Sequence, residues 1–194
     1  MIVLAIDSAS RTAAWVARSD GSGRVVEGSL VGGGHLDREL PAVLALLGAA
    51  PVDAVVVLTG PGSYTGVRGG MAAALGFAVA RGIPLHGVDT LTAVAAAVAA
   101  APGEVLTAVA DAGRGGVYIA RYEAGPTGPR ALGPIRRVEA ANATPAGRVL
   151  ATTGIEGLAA ELVAPLDALG AAVPVALALP PLDAAGLAAA HAQS

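Results

Sequence analysis

The sequence contains no cysteine and no lysine, and all 12 of its basic residues are arginine. The first absence excludes disulfides, cysteine-ligated zinc, iron–sulfur clusters and thiolate nucleophiles. The second excludes a Schiff-base lysine and the lysine of a phosphate-binding P-loop. Aromatic residues are scarce, at 3% of the chain. Charges or prolines interrupt every apolar run before it reaches the roughly 18 residues of a membrane span. The longest charge-free stretch, Ala168 to Leu182, is broken by Pro174, Pro180 and Pro181. At the N-terminus Asp7 arrives too early for a signal peptide, and no basic residue precedes it. The expectation is a cytoplasmic protein. A net charge of −3 supplies no global field to attract nucleic acid.

What is present is apolar and small-residue-rich: 54% hydrophobic residues and 27 glycines in 194 positions. The length allows one large or two small domains. Ile2 to Ile6 is wholly apolar and predicts a buried strand, followed by strands over 12–17 and 24–31 around the turn cluster Ser19-Asp20-Gly21-Ser22-Gly23. Leu36, Leu40, Val43, Leu44 and Leu47 fall at helical spacing. Then come a strand over 54–58, a glycine-rich loop, a helix from Gly66 to Arg81 and a strand over 85–88. A helix over 90–101 follows, stopped by Pro102 and Gly103.

After Gly103 the order begins again. Strands are predicted over 105–110, 117–122, 134–138 and 149–152, a helix over 155–166, a strand over 173–177 and a helix over 183–192. Ala140 to Pro145 is too short for more than a turn. A duplicated β-β-β-α-β-α-β-α order is that of the two-lobed actin-like ATPase fold (ASKHA, ribonuclease H-like), here with a degenerate, shortened second lobe. The expected lobes are residues 1–102 and 103–194. Element order does not by itself give a function.

The stretch Thr59-Gly60-Pro61-Gly62-Ser63-Tyr64-Thr65-Gly66-Val67-Arg68 lies between a strand and a helix, where free backbone N–H groups can meet an anion. It nearly matches Gly-x-Gly-x-x-Gly, but the third position is Thr65. The three-stranded start is also foreign to a dinucleotide-binding fold. The plainer reading is a structural loop with Thr65 as helix N-cap. Ser63 is not in the Gly-x-Ser-x-Gly register of a nucleophile elbow. Asp7 and Ser8 follow the first strand, and Asp111 and Gly113 take the matching place in the second half. Two carboxylates ending two matched strands fit a nucleotide site, or each can simply shape a turn. The first turn lacks the glycines of the second. His35, His86 and His191 contain no His-x-x-x-His pair, so no metal site is expected. In the helix from Gly66 to Arg81, Gly69, Gly70 and Gly76 each cost roughly 1 kcal/mol relative to alanine. They point to close packing, either on the sheet or on a partner.

Four strings resemble the TsaB (YeaZ) family: Ile2 to Ser8, Gly60 to Arg68, Gly82 to Val88, and Asp111 to Tyr118. The likeness is clear to about Glu123 and beyond that lies mostly in element order. The resemblance implies a non-catalytic partner of TsaD, the transferase that makes threonylcarbamoyladenosine beside the tRNA anticodon. It implies no cofactor, a TsaE-like ATPase docking on the pair, and only indirect contact with tRNA. The alternative is a nucleotide-dependent phosphotransferase or glycoprotease-like enzyme of the same fold.

The resemblance further implies pairing, with TsaD or with a second copy, through the first two helices. The expected contacts are Leu36, Leu40, Leu44 and Leu47, with Gly70, Met71, Ala74, Leu75 and Ala78. Gly60, Gly62, Ser63, Thr65, Gly66 and Arg68 form the family loop, and Asp7, Ser8, Asp111 and Gly113 the remnants of a nucleotide site. The family's closing Pro-x-Tyr-x-Arg-like segment is expected to be missing.

Overall fold

The computed structural model describes residues 2–10, 13–19, 25–32, 40–42, 44–45, 49–126 and 128–151. The expected elements over 155–166, 173–177 and 183–192 lie outside these residues. The described chain forms two compact units, one up to Asp89 and one from Thr90. No helix among the described residues is long and apolar enough to cross a membrane.

In the first unit, β1 (Val3–Asp7) is central and buried throughout. It pairs antiparallel with β2 (Ala13–Ser19), which pairs antiparallel with β3 (Val25–Gly32). On its other side β1 pairs parallel with β4 (Ala54–Leu58), and β4 with β5 (Leu85–Val88). The sheet order is β3-β2-β1-β4-β5. β1 and β4 are apolar at nearly every position because both of their faces are covered. Leu4, Ile6, Val16, Val55 and Val57 meet two helices on one face. Those helices are α1, described at residues 40–42 and 44–45, and α2 (Tyr64–Arg81). Val3, Ala5, Ala17 and Val56 form a second cluster.

The second unit repeats the plan. β6 (Val105–Gly113) pairs antiparallel with β7 (Gly116–Gly125) and parallel with β10 (Arg148–Ala151). These pairings copy those of β1 with β2 and β4. Between β6 and β7, Arg114 (φ 55°) and Gly115 (φ 75°) make a two-residue turn with both centres left-handed, which suits the twist of a hairpin. Helix α3 (Thr90–Ala96) lays Leu91, Val94 and Ala95 on Leu106, Ala108, Ala120, Tyr122 and Leu150. The Thr92 hydroxyl donates to the Tyr122 hydroxyl at 3.2 Å. The architecture is the actin-like ATPase fold expected from the element order.

Two local expectations change. The helix expected over 90–101 ends at Ala96, and Val98 and Ala100 pack on the same core beyond the helix. The strand expected over 134–138 lies at β9 (Arg136–Glu139), and a strand not expected, β8 (Gly128–Ala131), precedes it; both lie on one edge of β7. Residues 132–135 separate them. Ala140–Asn142 is one 3-10 turn, as short as expected.

Candidate functional site

The glycine-rich loop runs from the end of β4 to the start of α2. Thr59 N–H donates to the Val88 carbonyl at 2.9 Å and anchors the loop to β5. Gly60 has φ 96°, a conformation that favours glycine, and the Gly60–Pro61 peptide is cis. The helix cap is Ser63, whose Oγ accepts from Gly66 N–H at 3.2 Å. Thr65, the expected cap, lies inside the first turn and is exposed. At the other end Gly82 (φ 63°) returns its N–H to the carbonyls of Ala78 and Val79, a left-handed cap.

The loop and α2 lie directly on the turn that follows β1. Ser63 N–H donates to the Ala9 carbonyl at 2.7 Å. A Cβ on Gly62 would stand 2.5 Å from the Ala9 carbonyl oxygen. One on Gly66 would overlap the Ser8 carbonyl oxygen, and one on Gly70 would overlap Ser8 Oγ. Gly66, Gly70, Ala74 and Ala78 form the buried stripe of the helix, spaced four apart. These glycines therefore serve the approach of the helix to its own sheet.

Asp7 ends β1 and is only 7% exposed. Its Oδ1 accepts from Ala9 N–H at 2.9 Å. Burial pushes its carboxyl up to about 6, against the lowering effect of that hydrogen bond. Ser8 is buried, and its Oγ has no hydrogen-bond partner among the described residues. In the second unit, Asp111 Oδ1 accepts from Gly113 N–H at 2.7 Å, and Gly113 (φ 70°) begins the turn into β7. Both aspartates thus shape the turns that follow them. Among the described residues no three or more His, Asp or Glu converge on a metal-sized site. His86 lies half-buried on β5, while His35 and His191 lie outside the described residues.

The expected partner contacts divide by burial. Leu36 and Leu47 lie outside the described residues. Leu40 and Leu44 are buried in the first unit's own core, and Gly70, Ala74 and Ala78 face the sheet. These five are not available to a partner, which corrects the expectation for them. Met71 and Leu75 are exposed, at 41% and 54%. Tyr64 (69%) and Val79 (73%), not in the expected set, complete the same stripe. Their spacing (64, 68, 71, 75, 79) is the signal that would have found them. Arg68 fills the gap, its guanidinium 4.0 Å from the centre of the Tyr64 ring.

Residues 35–161 match the family model described as TsaD: tRNA N6-adenosine threonylcarbamoyltransferase, which covers more than half of the chain. The chain belongs to this family. An uncharacterized protein of Mycobacterium tuberculosis is 42% identical over 162 residues, spanning 78% of this chain and 71% of that protein. The Escherichia coli tRNA threonylcarbamoyladenosine biosynthesis protein TsaB is 35% identical over 130 residues, spanning 63% of this chain and 55% of its own. The solved structure of YeaZ from Pseudomonas aeruginosa matches with a TM-score of 0.61 at 28% identity, over 74% of this chain and 69% of that one. Within the TsaD family the likeness is to TsaB (YeaZ), as the four sequence strings imply.

Proposed function

We propose that this protein works in tRNA threonylcarbamoyladenosine biosynthesis, as the non-catalytic partner of a TsaD-type transferase. The likeness to E. coli TsaB supports the pathway. The observation that carries the partner role is the exposed apolar stripe of α2. Tyr64, Met71, Leu75 and Val79 are four of the six large hydrophobic residues exposed among the described residues, and they share one helix face. An exposed face carrying four large apolar side chains, with Arg68 among them, is more stable when covered by protein than by water. A second observation supports the non-catalytic reading: Gly62, Gly66 and Gly70 meet Ser8 and Ala9, leaving the loop closed on its own chain.

In this reading the stripe binds a TsaD-like protein, a second copy competes for the same face, and a TsaE-like ATPase docks on the pair. The chain meets tRNA through the transferase. The test is co-purification with the TsaD-like protein of the same organism, followed by tRNA modification with and without this chain. Leu75→Glu with Val79→Glu is expected to abolish pairing and modification while the monomer stays folded. Unchanged pairing would overturn the assignment of the stripe. ATP turnover or peptide hydrolysis by the isolated chain would favour the enzymatic alternative.

A further inference from the structure

The edge of β7 is interrupted. β9 covers Gly116 to Ile119 and β8 covers Tyr122 to Gly125. Leu132 to Ile135 link β8 to β9, and Leu132 N–H donates to the Arg121 carbonyl at 2.8 Å. A cavity of about 300 Å³ adjoins this link, lined by Ile119, Arg121, Leu132, Pro134, Arg136 and Thr144 among others. Arg136 is the cross-strand partner of Ile119, and Arg121 lies two residues further along β7. Both arginine side chains therefore leave the same face of the sheet.

These two arginines differ from their neighbours. Arg130 pairs with Glu123 at 2.9 Å, Arg137 with Glu139 at 3.5 Å, and Arg148 with Glu104 at 3.2 Å. Arg121 and Arg136 have no acidic partner among the described residues. Two guanidiniums lining one concavity, with no carboxylate partner among the described residues, suit a doubly charged anion. A phosphate monoester is close to a dianion at neutral pH, and guanidinium forks match its oxygens. Thr144 also lines the cavity, with Leu132 and Pro134 as apolar lining. The volume is at the small end for ligand sites, so the ligand is compact.

We propose that this cavity binds a compact organic phosphate monoester, with its phosphoryl group between Arg121 and Arg136 and its carbon part against Leu132 and Pro134. The site is independent of the α2 stripe and of the reading built on it. Titration calorimetry on the full chain at low salt tests it, with glycerol 3-phosphate as probe and glycerol as control. The wild type is expected to bind the ester saturably and to ignore glycerol. Arg121→Ala and Arg136→Ala are each expected to weaken binding at least tenfold, and the double variant to abolish it. Arg121→Lys with Arg136→Lys keeps the charge but not the fork, and is expected to bind in between. Lowering the pH from 7.5 to 5.5 is expected to weaken binding as the ester becomes a monoanion. Equal binding by wild type and a folded double variant would overturn the site, as would no saturable ester binding. Arginine-dependent binding of an RNA oligonucleotide, without ester binding, would also overturn it and assign these arginines to a nucleic-acid backbone.

Discussion

Gly66 of α2 lies so close to the Ser8 carbonyl that a Cβ at Gly66 would overlap its oxygen. One turn later Gly70 does the same against the Ser8 hydroxyl. The helix is thereby seated on the end of β1, where Asp7 and Ser8 are buried. The loop that bears the family resemblance is thus, in physical terms, a device for close helix–strand contact.

That contact makes the glycines of α2 unequal. Gly66→Ala is expected to destabilise the protein by about 1–3 kcal/mol, because the obstacle is backbone and cannot rotate away. Gly76→Ala meets nothing within 4 Å and is expected to stabilise by about 0.5–1 kcal/mol through helix propensity alone. Urea denaturation of the two variants would read the opposite signs directly. Equal effects would mean that α2 does not sit on Ser8 as described.

The cap is testable in the same way. Ser63→Ala removes the oxygen that accepts from Gly66 N–H and is expected to cost about 1 kcal/mol. Ser63→Asp retains an acceptor and is expected to cost little. Thr65→Ala, at an exposed first-turn position, is expected to change the melting temperature hardly at all. A loss at Thr65 equal to that at Ser63 would restore Thr65 as the cap.

The elements most legible in the sequence were those with a single physical cause. β1 and β4 are buried on both faces, so Val3 to Ile6 and Ala54 to Leu58 read as unbroken apolar runs. The face of α2 was less legible because it inverts the usual amphipathic pattern. Its bulky residues, Met71, Leu75 and Val79, point outward, and its small ones, Gly70, Ala74 and Ala78, point inward. Hydrophobicity does not separate alanine from leucine strongly enough to reveal which face is which. Close backbone approach does, and that is a tertiary property. β8, which was not expected, was hidden for a related reason, since pairing partners on β7 decide it.

That inversion gives neighbouring residues opposite roles. Ala74 is fully buried against the first sheet, whereas Leu75 is exposed. Ala74→Arg is expected to leave a charge in the core without a partner and to unfold the first unit. Leu75→Arg is expected to keep the circular dichroism spectrum and melting temperature of the wild type, and to raise solubility. If Ala74→Arg folded normally, the inward face of α2 would be wrongly assigned.

The buried carboxyl of Asp7 makes a prediction about pH. Its folded-state value stands at about 6, above the ordinary 3.8, because burial penalises the charged form. Between these values the folded protein holds a proton that the unfolded chain has released. The contribution of Asp7 to stability is therefore fully present below about pH 4, is lost as pH rises through about 6, and is unchanged above that. A difference of about two units corresponds to about 3 kcal/mol. Asp7→Asn keeps the acceptor for Ala9 N–H and removes the titration. The other carboxylates act equally in both proteins and cancel in the comparison. The stability of Asp7→Asn relative to wild type is thus expected to grow between pH 4 and pH 7 by an amount of that order. Urea midpoints at the two pH values measure it. A difference independent of pH would show that the Asp7 carboxyl is not held in its buried, neutral form at the end of β1.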